Sequence, residues 1–341
     1  MSTTRTPGHA LPVAVDGMGG DRGVATVVQG VAAAAVELGC EVLLVGREEA
    51  LRTELARYPE AARRITVVPA AEAISMDESP LALRRKDGSS IAMGLRLVRE
   101  GRAGAFVSAG HTGAVFLWAN TILGTLPGVE RPALSAVLPS VRGPFLLLDV
   151  GANPDCRPSD LLSFARMGTV YAERVLRVPR PRVGLLSNGE EESKGNLLVR
   201  ETHGLLKASG LEFVGNLESK DLPRGAADVV VADGFTGNIV IKTAEGAAEV
   251  FMDLLRSSVT SRWHYRLAAL VLRPALRAAF QRLDYTEFGG APLLGMQGVV
   301  IVAHGRSDAR AMRNAVRVGV EAAARGVVGA LQGMLLPEGA R

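Results

Sequence analysis

VAVDGMGGDRG, residues 13–23, sets the pattern of the chain: a short apolar run, too short for a helix, ends in a glycine-dense polar loop and gives way to helical periodicity. Outward from it the same figure recurs. Residues 41–45 end in GREE, 65–68 in PAAEA, 105–107 in SAGHTGA and 145–148 in DVGANPD; residues 183–186 end in SNGEEESKGN, 228–231 in ADGFTGN and 299–302 in AHGRSD. Continuously apolar strands that alternate with helices belong to an α/β fold with a mostly parallel sheet covered on both faces. The loops at the carboxyl ends of such strands line one edge and form its ligand crevice. No internal repeat stands out in the letters.

The bulk numbers fit that frame. A chain of 341 residues, 48% hydrophobic with 4% aromatic residues, buries a sizeable Ala/Val/Leu/Gly core and is not disordered. Residues 1–12 read as a flexible tail without the apolar stretch of a secretory signal, and residues 13–336 as a single α/β domain. Cys40 and Cys156 lack ligand-type spacing, which points to a reducing compartment and to no zinc site. A net charge of +4 is too small for a nucleic-acid surface, and the positive charge rests on arginine, with lysine only at positions 86, 194, 207, 220 and 242. Residues 103–129 carry no Asp, Glu, Lys or Arg, but their glycines, His111 and Asn120 suit a strand, a polar loop and a buried helix rather than a membrane span.

The loops carry the chemistry. In DGMGGDRG, Gly17, Gly19 and Gly20 allow backbone N–H groups to approach an anion at the start of a helix, flanked by Asp16 and Asp21; a tight turn without a ligand is the plainer alternative. Neither a dinucleotide fingerprint nor a P-loop is present, because Arg22 takes the third glycine position and no GK[ST] follows. In SAGHTGA, Gly110 and Gly113 permit close approach, while His111 and Thr112 offer hydrogen bonds to a phosphate or a developing oxyanion; a structural histidine is the alternative. In DVGANPD, Asp155 and Cys156 read as structural and Asn153 as facing the site. GEEESKGN sets Lys194 among glutamates in an arginine-rich chain, either as a mobile point charge for an oxyanion or as a solvated surface lysine. DGFTGN, with Asp233, Thr236, Gly237 and Asn238, reads as a second anion cradle. Arg84, Arg85 and Lys86 add cations or form a solvated cap. No GxSxG, HExxH or paired CxxC appears, so the substrate itself is expected to bring the nucleophile.

The rhythm breaks at about residues 243–284. Residues 254–283 hold six arginines and no acid, interleaved with Trp263, Tyr265, Leu267, Leu270, Val271 and Leu272. A projecting basic and apolar helical hairpin is expected, with Pro274 in the first turn of its second helix. Arg262, Arg266, Leu267, Leu270, Leu272, Arg273 and Arg277 are its candidate contacts with an anionic membrane surface or an acidic carrier protein; a dimerisation arm is the alternative.

Taken in order, VDGMGGD, SAGHTGA, LDVGAN, GEEESKGN, GNLESKD, DGFTGN, YTEFGGAPLLG and AHGRSD resemble the bacterial phosphate acyltransferases of phospholipid synthesis over nearly the whole chain. The chain departs from that pattern at Ser187 and Asn188, where the family loop reads Asn-Ile, and at Gly88. The resemblance implies a homodimeric Rossmann-like α/β/α sandwich akin to phosphate acetyltransferases and the isopropylmalate dehydrogenase type. It implies acyl transfer from acyl-[acyl carrier protein] to inorganic phosphate on the way to phosphatidic acid, with no metal or organic cofactor. It also implies a cytoplasmic enzyme held peripherally at the inner face of the membrane, passing product to a membrane-bound glycerol-3-phosphate acyltransferase. On this reading Asp16–Asp21, Gly110, Thr112, Asp233, Thr236 and Gly237 bind phosphate, and Lys194, His111 and Asn238 are catalytic. An acyl-CoA-using enzyme, a dehydrogenase of related fold and a non-enzymatic membrane scaffold are the rivals.

Overall fold

The computed structural model describes the backbone of residues 11–283 and 289–335, and side chains there except at 80–81, 275–283 and 335. The chain divides into two compact units. The first holds the described residues before Ala133, Glu173–Arg177 and those from 289 onward; the second holds Ala133–Ala172 and the described residues from Val178. Each unit contributes its own run of strands and its own set of strand-end loops.

The first unit contains β1 (Val13–Asp16), α1 (Gly23–Leu38), β2 (Val42–Gly46), α2 (Glu48–Leu55), α3 (Pro59–Ala62) and β3 (Ile65–Pro69). It continues with α4 (Pro80–Leu83), α5 (Ser90–Arg99), β4 (Ala105–Ser108) and α6 (Thr112–Ile122). The second unit contains β5 (Ala133–Leu138), β6 (Phe145–Leu148), α7 (Pro158–Tyr171), β7 (Val183–Leu186), α8 (Leu197–Lys207), β8 (Phe213–Leu217), β9 (Val229–Val231), α9 (Gly234–Thr260) and α10 (Trp263–Leu283). The chain then returns to the first unit with β10 (Ala291–Leu294), β11 (Val299–Val302), α11 (Ala309–Ala324) and α12 (Val327–Leu335).

In the first unit the strands lie in the order β3-β2-β1-β4-β11-β10, parallel except for β10 on β11. The alternation of side chains along β4 sets the layers. Phe106 points at α5, where Gly94 leaves room for its ring, while Ala105 and Val107 meet Gly319 of α11 on the opposite face. All three β4 residues are fully buried, as a strand covered on both faces requires. In the second unit the order is β5-β6-β9-β7-β8, parallel except for β5 on β6. Gly168 of α7 sits against Val229 and Leu148.

The hairpin is present, with two differences from expectation. Its first helix, α9, starts at Gly234 inside the DGFTGN loop rather than near residue 243, so the loop and the arm are one element. Pro274 lies well inside α10, not in its first turn, because the helix starts at Trp263 directly after a tight turn. The missing proline N–H costs α10 one internal hydrogen bond there.

Candidate active site

In the first unit a buried carboxylate organises the strand ends. Asp16, 1% exposed at the end of β1, accepts the Met18 N–H at 3.0 Å and the Ser108 hydroxyl at 2.7 Å. Burial pushes its carboxyl up, opposed by hydrogen bonds from Ser90, Ser108 and the Met18 and Gly19 N–H groups. Ser108 Oγ in turn accepts the Gly110 N–H at 3.0 Å. The loops touch so closely that a Cβ on Gly19 would lie 2.5 Å from the Gly110 nitrogen. A third loop joins them: the Asp21 N–H donates to the Gly305 carbonyl at 2.8 Å. Asp16, Gly17, Gly19, Gly20, Asp21, Gly110, His111 and Thr112 are thus gathered at one edge of the sheet, with His304 and Gly305 beside them.

Two helices open at this edge. α1 begins after Arg22 with no side-chain cap. α6 begins after His111, whose Nδ1 accepts the Ala114 N–H at 3.2 Å. An Nδ1 that accepts carries no proton, so the neutral ring holds its proton on Nε2 as a donor. The first-turn N–H groups of Thr112 and Gly113 have no intrahelical acceptor, and α6 has no acidic residue in its first turn. That combination favours an anion.

The second unit repeats the frame. Val13 of β1 pairs with Ala105 of β4, and Leu146 of β6 pairs with Val229 of β9 in the same parallel register. Asp149 therefore stands where Asp16 stands, and the segment Ala232–Asn238 falls on Ser108–Ala114, sharing Gly, Thr and Gly at three positions. Asp149 is fully buried and accepts N–H groups of Leu134, Gly151, Ala152 and Asn153 plus the Asn153 side-chain amide, at 2.6–3.2 Å. Burial raises its carboxyl and these donors oppose that rise.

The residues of DGFTGN come together, but their donors are spent locally. Asp233 accepts both the N–H and the hydroxyl of Thr236 at 2.8 Å. The Gly237 N–H goes to the Asp233 carbonyl, and the Gly234 N–H to the Asn153 carbonyl at 2.8 Å. The Asn238 amide goes to the Val150 carbonyl at 3.0 Å. Unlike the start of α6, that of α9 is capped by a carboxylate and bolted to the loop after β6. Asn153, expected to face the site, is 5% exposed and turned onto Asp149. The Cys156 thiol, pushed up to about 12 by burial and then by the Asp149 charge, is no nucleophile.

Lys194 lies in the loop after β7, the strand that pairs with β9. Asn188 Oδ1 accepts the Gly195 N–H at 3.0 Å and closes the loop. Glu192 is engaged by Lys207 at 2.6 Å, and no described residue pairs with the exposed Lys194 ammonium. Among the described residues, Glu190, Glu218 and Asp221 bring carboxylate oxygens within 4.8 Å of one another, but Lys220 already pairs with Glu218.

The hairpin is exposed along its described length. Trp263, Leu267, Leu270, Val271 and Leu272 are 54–81% exposed, with Arg262, Arg266 and Arg273 exposed among them. Arg266 also ties the turn by donating to the Thr260 carbonyl at 3.0 Å. The Arg277 side chain lies outside the described residues. Among the described residues no helix is long and apolar enough to cross a membrane.

Residues 11–329 match the family described as fatty acid synthesis protein. The phosphate acyltransferase of Desulforudis audaxviator is 48% identical over 324 residues, covering 95% of this chain and 96% of that one. The chain belongs to that family. The phosphate acyltransferase of Heliobacterium modesticaldum, 46% identical over 94% of this chain and 97% of its own, gives the same relation, and the protein is accordingly an acyltransferase. Among solved structures, a phosphotransacetylase from Streptococcus pyogenes superposes with a TM-score of 0.62 at 19% identity, covering 92% of this chain and 94% of that one. A 4-hydroxythreonine-4-phosphate dehydrogenase from Klebsiella pneumoniae does so with 0.51 at 15%, covering 92% and 100%. These two share the Rossmann-like α/β fold. Sequence pattern does not single out His304, which lies beside the Asp21–Gly305 contact.

Proposed function

We propose that this acyltransferase moves a fatty acyl group from acyl-[acyl carrier protein] to inorganic phosphate, yielding acyl phosphate and the free carrier. Inorganic phosphate, with a second pKa of about 7, is roughly half dianionic at neutral pH, so the attacking dianion is present without a protein base. Its oxygen forms a bond to the thioester carbonyl carbon; the tetrahedral oxyanion collapses as the C–S bond breaks, and the departing thiolate takes a proton. The leaving thiol, with a pKa of about 8.5, departs readily.

The observation that carries this reading is the cluster at the first unit's strand ends, where three loops meet at the start of α6. There the Thr112 and Gly113 N–H groups have no partner among the described residues, and the first turn holds no acidic residue. Phosphate is assigned there, to Gly17–Asp21, Gly110 and Thr112. His111, with its proton on Nε2, is assigned to the oxyanion or the thiolate, and Lys194 to the developing negative charge on oxygen. Asp233, Thr236, Gly237 and Asn238 are assigned to the root of α9. The exposed basic and apolar hairpin is assigned to an anionic membrane surface and to the acidic carrier protein, in a homodimer at the inner face of the membrane that hands product to a membrane-bound glycerol-3-phosphate acyltransferase.

The deciding experiment incubates the full chain with palmitoyl-carrier protein, or with palmitoyl-CoA, and inorganic phosphate, and detects acyl phosphate by mass. Phosphate-dependent product from the carrier-bound donor is expected. Product from the CoA donor alone would exclude the carrier, and none from either would end the proposal. Sedimentation with phosphatidylglycerol vesicles, lost when Leu270 and Leu272 become Glu, tests the membrane assignment; unchanged sedimentation would refute it.

A further inference from the structure

GNLESKD, residues 215–221, supplies no residue to the proposed site, yet its asparagine is among the most buried polar residues of the second unit. Asn216, in β8, is 4% exposed. Its side-chain amide donates to the Glu191 carbonyl at 2.9 Å. That same carbonyl accepts the backbone N–H of Lys194 at 3.0 Å. The loop that carries Lys194 is therefore gripped at its middle from inside the fold, while Asn188 closes it at its ends.

A second buried residue orients Asn216. His203 of α8, 7% exposed, places Nδ1 3.0 Å from Asn216 Oδ1. Because the Asn216 nitrogen is committed to Glu191, Oδ1 is the acceptor and His203 must carry a proton on Nδ1. The ring stands edge-on to Phe213 with centroids 5.0 Å apart, and its Nε2 lies 3.5 Å from a Glu192 carboxylate oxygen in the same loop. Burying an amide and an imidazole where two apolar side chains would fill the space is costly unless their hydrogen bonds are met. Here they are met, and their only outlet among these contacts is the Lys194 loop.

We infer that Asn216 and His203 are positioning residues for acyl transfer: they hold the Glu191 carbonyl and thereby fix where the Lys194 loop presents its ammonium. The inference rests on the catalytic reading of Lys194. A charge that stabilises an oxyanion works only when placed in advance, and a misplacement of about 1 Å costs roughly 100-fold in rate.

The test is a double-mutant cycle on the full chain with palmitoyl-carrier protein and inorganic phosphate, with thermal melts in parallel. Lys194→Ala is expected to lower kcat roughly 100- to 1000-fold. Asn216→Asp keeps the acceptor for His203 but cannot donate to Glu191, and is expected to lower kcat roughly 10- to 100-fold with the KM for phosphate little changed. In the Lys194→Ala background the same change should have almost no further effect, since groups acting as a unit are not additive. His203→Phe keeps the packing on Phe213 and should lose kcat likewise. His203→Asn, which sets an amide nitrogen near the place of Nδ1, should restore most of it. Equal fold losses in both backgrounds, or a His203→Asn enzyme no better than His203→Phe, would overturn the positioning role alone. Normal turnover by Lys194→Ala would remove Lys194 from the reaction and the relay's purpose with it.

Discussion

The segments following β4 and β9 begin as near copies and end as different devices. In each, a strand leads into a loop with glycine, threonine and glycine at matching positions, beside a parallel strand that ends in a buried aspartate. After β4 the helix is capped by an imidazole, and the Thr112 and Gly113 N–H groups at its start have no partner among the described residues. After β9 the helix is capped by the Asp233 carboxylate and runs 27 residues into the hairpin. One frame thus supports two uses. A neutral cap leaves a helix dipole for a bound anion, whereas a carboxylate cap spends the dipole on the protein and gives a long helix a firm root.

The matched glycines give the largest test of that contrast. A Cβ on Gly237 would overlap the Asp149 backbone carbonyl, which has no room to retreat, while one on Gly113 would meet only the His111 ring at 3.0 Å. Gly237→Ala is expected to cost about 3 kcal/mol or more of unfolding free energy in urea melts, and Gly113→Ala less than about 1 kcal/mol. Equal costs would mean that the two junctions are not built differently.

A middle-sized effect belongs to the caps. Asp233→Ala should destabilise by about 1 kcal/mol and increase amide exchange in the first turn of α9. His111→Asn, which keeps a good capping side chain, should leave the melt unchanged while lowering acyl phosphate formation. If His111→Asn keeps full turnover, the imidazole has only a structural role at α6.

The smallest effect lies at the other end of the two strands. Just before β9, Asp228 accepts the Arg182 guanidinium at 3.0 Å and the Arg182 backbone N–H at 2.9 Å; Gly104 holds the matching place before β4. Burial alone would raise the Asp228 carboxyl, but the bonds from Arg182 leave it lowered. A lowered carboxyl stabilises the fold above its unfolded value and loses that contribution as pH falls through its folded value. Asp228→Asn should thus cost roughly 0.5 kcal/mol at pH 7 and nothing once the carboxyl is protonated. A constant difference at pH 7 and in acid would exclude this ion pair as the cause.

Much of the fold was legible because the strands that read as continuous apolar runs, such as residues 145–148 and 299–302, are buried on both faces. Three strands gave no such signal. β8 is partly exposed at its start, β10 carries Pro292, and β5 has its apolar run interrupted by Ser135. The internal repeat was hidden for a related reason: register and the buried aspartates are shared, while the side chains between them have diverged.

The sequence alone determined the α/β class, the glycine-rich strand ends and the family, because periodicity, glycine placement and motif order are local properties. Tertiary structure decided which loop donors remain available. The backbone of the first cradle closes around Asp16 yet leaves the start of α6 without a carboxylate, and that of the second is consumed by Asp233, Asn153 and Val150. Whether an N–H can greet a ligand depends on what else lies within about 3 Å of it, and the fold sets that partner both inside the loop, as with Asp233, and from afar, as with Asn153.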